Sequence, residues 1–226
     1  MTAPAVLVVG ASRGIGLEFV RQYRADGARV LATHRAPADG ARLRAFGAEA
    51  LQLDVLDAAA IASLGQQMAG ERLSVAIINA GIYGPRTEGL VVPEAEAFDA
   101  VMRTNVLAAM RLIPALAPAL AATRGTLAVL SSRMGSIGLM QSSSGWLYRA
   151  SKAALNSVLK SASVELGAQG IVCLALHPGW VRTDMGGAGA DVEAADSVAG
   201  MRRVIAAADA SQDGSFFNYD GEPLAW

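Results

Sequence analysis

The sequence predicts an α/β fold: a single-domain, doubly wound parallel β-sheet with helices on both faces. Three observations carry this. Short aliphatic and β-branched runs recur along the chain as continuous apolar segments, the mark of strands buried on both sides. Longer stretches with helical spacing separate them, the alternation of a parallel sheet. Glycine-rich or polar turns follow the strands, at the end where such sheets bind ligands.

Taken in order, "AVLVVG" (5–10) reads as the first strand and "GIGLEFVRQYRADG" as a helix closed by Gly27. "ARVLATH" (28–34) and "ALQLDV" (50–55) are the second and third strands. "LSVAIINA" (73–80), "GTLAVLSS" (125–132) and "GIVCLALHP" (170–178) bring the strands to six. Helical patterns lie near 57–69, 94–122, 146–168 and 194–208. "GIYGPRTEGLVVP" (81–93) and "PGWVRTDMGGAGADVEA" (178–194) break the rhythm with glycine and proline, and read as loops. Neither has the composition of a linker, there is no repeat, and 226 residues suit one domain over 1–226.

Composition narrows the partners. Nineteen basic and twenty acidic residues leave a net charge of −1, with no basic excess to hold nucleic acid. The single cysteine, Cys173, excludes an internal disulfide and a multi-cysteine metal site, and its apolar surroundings predict a buried small hydrophobe. His34 and His177 are too few and too separate for zinc, so no metal is expected. "MTAPAVLVVGASRG" lacks the charged head of a signal peptide. "LIPALAPALAA", with Pro114 and Pro118, is too short to span a bilayer. No membrane partner and a cytoplasmic location are expected.

The first strand runs into "GASRGIG" and then a helix. Gly10, Gly14 and Gly16 permit tight turning and close approach of backbone amides to a pyrophosphate at a helix N-terminus. Ser12, Arg13 and Ile15 complete that candidate nucleotide loop. The second strand ends "ATHRAP", without the acid that bonds an NAD ribose; His34 and Arg35 stand there instead. Arg13 approaches from the glycine loop, and two guanidiniums around one 2′-phosphate predict NADP(H) in preference to NAD(H). Asp54 and Val55 end the third strand, as adenine contacts or as a turn. Asn79, Ala80 and Gly81 end the fourth, with the same two readings.

"SSRMG" (131–135) closes the fifth strand, and "YRASKAALN" follows. Tyr148 and Lys152 are four residues apart, hence on one helical face. An amphipathic surface helix produces such a pair by accident; a proton-donating phenol whose pKa a cation lowers requires it. A Ser–His–Asp hydrolase is the competing chemistry, but no G-x-S-x-G elbow exists and His177 precedes Pro178.

Together "GASRGIG", "NAG", Asn105, the serines at 131–132, "YRASK" and "PGWVRT" resemble, in order and over the whole chain, the short-chain dehydrogenase/reductase family. "LSSRMGSIG", "GWVRTDMGG" and "FFNYDGEPLAW" look like its branch of C-factor and sniffer-type carbonyl reductases. The resemblance implies a Rossmann-like fold and reduction of an aldehyde or ketone by hydride transfer. It makes Tyr148 the general acid, with Lys152 lowering its pKa and gripping the nicotinamide ribose. It makes Ser132 the group that bonds the substrate oxygen, and Asn105 the holder of a water that relays protons toward Lys152. Tyr148 and Lys152 thereby join Gly10, Arg13, Ile15, Asp54, Asn79, Val181 and Thr183 as cofactor contacts, with Pro178 and Gly179 in the same "PGWVRT" loop.

Sixteen positions separate Ser132 from Tyr148, more than in many family members, so "SIGLMQSSSGWL" is expected to bulge. Ser142, Ser143 and Ser144 compete there with Ser132 for the serine role. Met140, Trp146, Trp180 and Met185 are candidates to line an apolar pocket, which would suit an uncharged carbonyl. Helices 94–122 and 146–168 are the expected contact of a homodimer or homotetramer. Two rivals stand beside the NADPH-dependent reductase: an NAD-linked alcohol dehydrogenase on the same fold, and a C-factor-like signalling protein that retains nucleotide binding.

Overall fold

A computed structural model describes residues 4–226; the residues before Pro4, part of the stretch searched for a signal peptide, lie outside it. Seven parallel strands run in the order β3-β2-β1-β4-β5-β6-β7. They are β1 (Ala5–Val9), β2 (Arg29–His34), β3 (Glu49–Gln52), β4 (Leu73–Ile78), β5 (Thr126–Leu130), β6 (Val172–His177) and β7 (Ser215–Asn218). β1 lies between β2 and β4, with Ala5 opposite both Arg29 and Leu73. The doubly wound prediction holds: the order reverses beside β1, so a crevice opens over the carboxyl ends of β1 and β4.

Seven α-helices cover the sheet: α1 (Gly14–Ala25), α2 (Pro37–Ala45), α3 (Ala58–Gln67), α4 (Ala95–Met102), α5 (Ala108–Ala121), α6 (Trp146–Leu166) and α7 (Ala194–Ala207). Strand side chains alternate between faces and build two cores. Leu7, Val9, Ile78 and Val129 pack with Leu64, Leu112, Leu116, Leu155 and Leu159 from α3, α5 and α6. Val6, Val8, Ile77 and Ala128 pack with Phe19, Leu43, Val198 and Met201 from α1, α2 and α7. Cys173 is buried in the first of these cores, as its apolar run predicts.

Four departures from the sequence reading have local causes. β7 is a four-residue edge strand, too short for a recognisable run, held by Phe216 and Phe217. α2 escapes notice because "PADGARLRA" buries only Gly40 and Leu43, too little for an apolar stripe. Several strands end earlier than their apolar runs, which leaves Asp54, Asn79, Ala80, Ser131 and Ser132 on the exits. The expected helix over 94–122 is interrupted at Arg103–Leu107 by a π turn, where the Ala108 N–H donates to Arg103, five residues back. The run Ala95–Ala121 is long and apolar enough to cross a membrane by length and composition, unlike the shorter segment weighed above, but 56% of its most apolar window is buried in protein.

Candidate active site

The glycine loop is locked from both neighbouring strands. Gly10 donates to Thr33 Oγ1 at 2.9 Å, and Asn79 Nδ2 donates to the Gly10 carbonyl at 2.6 Å. Gly10 sits at φ 83°, and a Cβ there would lie 2.8 Å from the Ala80 nitrogen. A Cβ on Gly16 would lie 2.2 Å from the Gly10 oxygen. The result is a bare-backbone cradle opening the twelve-residue α1, whose first turn carries no acid and no side-chain cap. Such a terminus suits an anion. Asn79 and Ala80 therefore bear on the glycine loop, Gly81 lies farther on beside Asn105 and Lys152, and Ile15 is packed toward the second core.

Around the end of β2 the arrangement differs from expectation. Arg13 does not turn toward Arg35; its Nη1 pairs with Asp184 at 2.7 Å, joining the glycine loop to the 178–194 loop. A carboxylate within reach takes the guanidinium that the sequence reading assigned to a phosphate. Arg42, on the unforeseen α2, instead donates to the Ser12 carbonyl at 3.3 Å. Arg35 is exposed, whereas His34 is buried with its Nδ1 2.9 Å from the Ala36 carbonyl. Asp54 Oδ1 accepts from the Leu56 N–H at 2.9 Å, the turn role offered as its alternative, and Val55 packs against the first core.

Tyr148 and Lys152 stand on the buried face of α6 with Ser132 before them. The Ser132 hydroxyl lies beside the Tyr148 phenol and accepts from the Met134 N–H at 3.1 Å. Gly135 makes this approach possible, because a Cβ there would lie 2.7 Å from Lys152 Cβ. Next door, Ser131 donates to buried Asn156, whose amide donates to the Gly135 carbonyl at 3.3 Å. Ser142 and Ser143 are exposed, and Ser142 Oγ accepts from Ser144 N–H within its own turn. The structure thus brings Ser132, not the later serines, to the phenol.

Lys152 and Asn105 are both held by protein groups. Lys152 Nζ donates to the Leu130 carbonyl at 2.7 Å and lies 5.6 Å from the Tyr148 ring centre. Burial pushes the phenol above its usual value, the neighbouring Ser132 hydroxyl lowers it, and Tyr83 adds to the rise. Burial also lowers Lys152 itself, to about 8. Desolvation outweighs the cation here. Asn105, likewise, spends its side chain as a clamp: it accepts from Ile82 N–H at 2.8 Å and donates to the Ile82 carbonyl and Ser151 Oγ. Three hydrogen bonds to protein fix that amide at the π turn, and its Oδ1 keeps a second lone pair for a further donor. Asn105 does stand beside the lysine: a Cβ on Gly81 would lie 3.2 Å from its Oδ1 and 3.6 Å from Lys152 Nζ.

The proposed lining residues are largely at the surface. Met140, Trp180 and Met185 are exposed, and Trp180 Nε1 donates to the Gly186 carbonyl. Trp146 donates to the Val91 carbonyl at 2.8 Å, pinning the 81–93 loop. Tyr83, which the sequence reading passed over, stacks on Tyr148 with ring centres 4.6 Å apart. Its only sequence signal is a lone aromatic in a glycine-rich loop just beyond "NAG". In the other loop, Val181 is buried and bridged to Val192, Thr183 Oγ1 accepts from Gly186, and the Pro178 carbonyl accepts from Ser197. Gly179 is at φ 82° against Tyr219.

A family model described as short chain dehydrogenase matches residues 4–193. The chain is a short-chain dehydrogenase. C-signal of Myxococcus xanthus is 43% identical over 125 residues, 54% of this chain and 74% of that protein. The carbonyl reductase Sniffer of D. melanogaster superposes with a TM-score of 0.92 at 29% identity, all of both chains being covered. An NADPH-bound carbonyl reductase from chicken fatty liver gives 0.89 at 32%, again over both whole chains. This short-chain dehydrogenase is therefore an oxidoreductase with a Rossmann-like fold and the architecture of the carbonyl reductases.

The cradle fits a dinucleotide on its own evidence: glycines whose Cβ atoms would strike backbone, an uncapped α1, and a buried lysine beyond it. In the short-chain dehydrogenase, Gly10 to Gly16 would hold the pyrophosphate, with Tyr148 and Lys152 at the opposite end of the crevice.

Proposed function

We propose that this short-chain dehydrogenase reduces an aldehyde or ketone to the alcohol with NADPH, Tyr148 acting as general acid. The observation that carries this is the phenol: buried, beside the Ser132 hydroxyl, and held protonated well above neutral pH by its surroundings. A proton donor needs to keep its proton until the transition state. The dinucleotide, held by the glycine cradle at 10–16, would supply the hydride for the carbonyl carbon. Tyr148 gives its proton to the carbonyl oxygen. Ser132, beside the phenol, orients that oxygen and stabilises the charge that develops on it. Lys152, beneath the ring, stabilises the phenolate left behind.

The preference for NADPH rests on the absence of an acid at the end of β2 and on Arg35 and Arg42 near it. NADPH absorbance should fall with a panel of aldehydes, ketones and diketones, and the Tyr148→Phe protein should not support it. A Tyr148→Phe protein as active as the parent would overturn the assignment.

A second reading, a signalling protein that retains nucleotide binding, draws on the resemblance to C-signal. Dinucleotide binding without turnover of any carbonyl would favour it. For self-association we propose the faces of α5 and α6, where Met110 and Val164 are 55% and 78% exposed, to be checked by sedimentation.

A further inference from the structure

One charged residue stands close to the phenol, at the mouth of the site. Arg86 lies in the loop between β4 and α4. Its guanidinium stands over the Tyr83 ring, 4.8 Å from the centre, and Tyr83 in turn stacks on Tyr148 at 4.6 Å. Its Nη2 donates to the Met185 carbonyl at 2.6 Å, across the crevice in the 178–194 loop. Two contacts of different kinds thus hold the head group of an exposed side chain in one place.

Its charge is unmatched. Among the described residues Arg86 makes no ion pair, and Asp184, the acid next to Met185, is taken by Arg13. A planar guanidinium fixed by stacking and a single carbonyl still presents further N–H donors, in the fork that matches a carboxylate. Pre-organisation of this kind lessens the entropy lost on binding. The two stacked contacts in series set the guanidinium two ring-spacings from the Tyr148 ring. A short carbonyl compound held at Tyr148 reaches that far.

We infer that Arg86 is the specificity residue of the site, and that the substrate is a carbonyl compound bearing a carboxylate a few bonds from the carbonyl carbon. This rests on the reductase reading above and replaces the uncharged substrate suggested by the sequence. The carboxylate binds the Arg86 fork while the carbonyl oxygen meets Tyr148 and Ser132. The same pairing draws the 81–93 and 178–194 loops together over the bound acid.

The test compares levulinate and succinate semialdehyde with their methyl esters, using NADPH, in the parent and in Arg86→Ala, Arg86→Lys and Arg86→Glu. The parent is expected to favour each acid over its ester at least tenfold in kcat/KM, chiefly through KM, and to lose that preference as salt rises. Arg86→Ala should bring the ratio close to one, Arg86→Lys should restore part of it, and Arg86→Glu should invert it. Calorimetric titration of the hydroxy-acid product into the protein with NADP should show the same loss without any turnover. Equal use of acid and ester by the parent overturns the inference. So does an Arg86→Ala protein that loses both by one factor, which would make Arg86 a loop clasp alone. A parent that binds the dinucleotide yet reduces none of the four compounds, nor any carbonyl of the wider panel, removes the reductase reading itself.

Discussion

Lys152 Nζ sits 5.6 Å from the centre of the Tyr148 ring and donates to the Leu130 carbonyl at 2.7 Å. The ammonium is thus anchored to the sheet below the phenol rather than bonded to it. Removing the phenolic hydroxyl should therefore leave the lysine in place. We expect Tyr148→Phe to lower kcat by roughly a hundred- to ten-thousand-fold, the range for loss of a positioned acid. Dinucleotide affinity, measured by fluorescence titration, should change far less.

The two groups give opposite pH signatures. Lys152 is lowered to about 8 from its ordinary 10.5, so between those values the unfolded chain binds the extra proton. This group therefore makes stability rise with pH across that window. Tyr148 is raised above its ordinary 10, so its contribution is full below that value and fades as pH climbs past it. Denaturant midpoints measured between pH 7 and 11 should show the Lys152 rise, and Lys152→Met should flatten it. The reductase rate should decline as pH passes about 8 and the lysine loses its charge.

Gly16→Ala places a Cβ 2.2 Å from the Gly10 oxygen and 2.7 Å from Asn79 Nδ2. The cradle has to open to admit it. Dinucleotide affinity should weaken at least about tenfold, or ~1.4 kcal/mol. A calorimetric titration that finds parental affinity would show that the pyrophosphate lies elsewhere.

At the 2′-phosphate end, Arg35→Ala and Arg42→Ala should each weaken NADPH by about 1.5–3 kcal/mol, the value of a charge-assisted hydrogen bond. NADH binding should hardly respond. Arg13→Ala should affect both cofactors alike, because that guanidinium belongs to Asp184.

Asn105 carries a structural load. Asn105→Ala leaves the Ile82 N–H and carbonyl without their partner and opens the link to Ser151. A loss of about 1–3 kcal/mol in unfolding free energy is expected for each such group left dry. The fall should appear in urea melts of protein free of cofactor.

Six of the described strands and the glycine loop were legible because each rests on local signals: continuous apolar runs, and three glycines at a strand exit. The pairing of Tyr148 with Ser132 was legible only through ordered motifs, since nothing local joins residues sixteen positions apart. Arg13 shows where such reasoning stops. Its partner, Asp184, is 171 positions away, and an ion pair across that distance leaves no trace in spacing. Tyr83, Arg86 and Arg42 were missed for a related reason: each acts through a loop or a weakly apolar helix, where side-chain direction is set by tertiary contact. The pKa of Tyr148 went the other way from the simple pair argument because burial is a property of the whole packed site.

The place of β1 has a consequence for how the molecule is made. Its first strand is paired on one side by β2, some two dozen positions on, and on the other by β4, which ends only at Ile78. During synthesis one flank of β1 is satisfied early, while the other keeps an open row of backbone donors and acceptors. That row is a sticky margin on the nascent chain until β4 emerges.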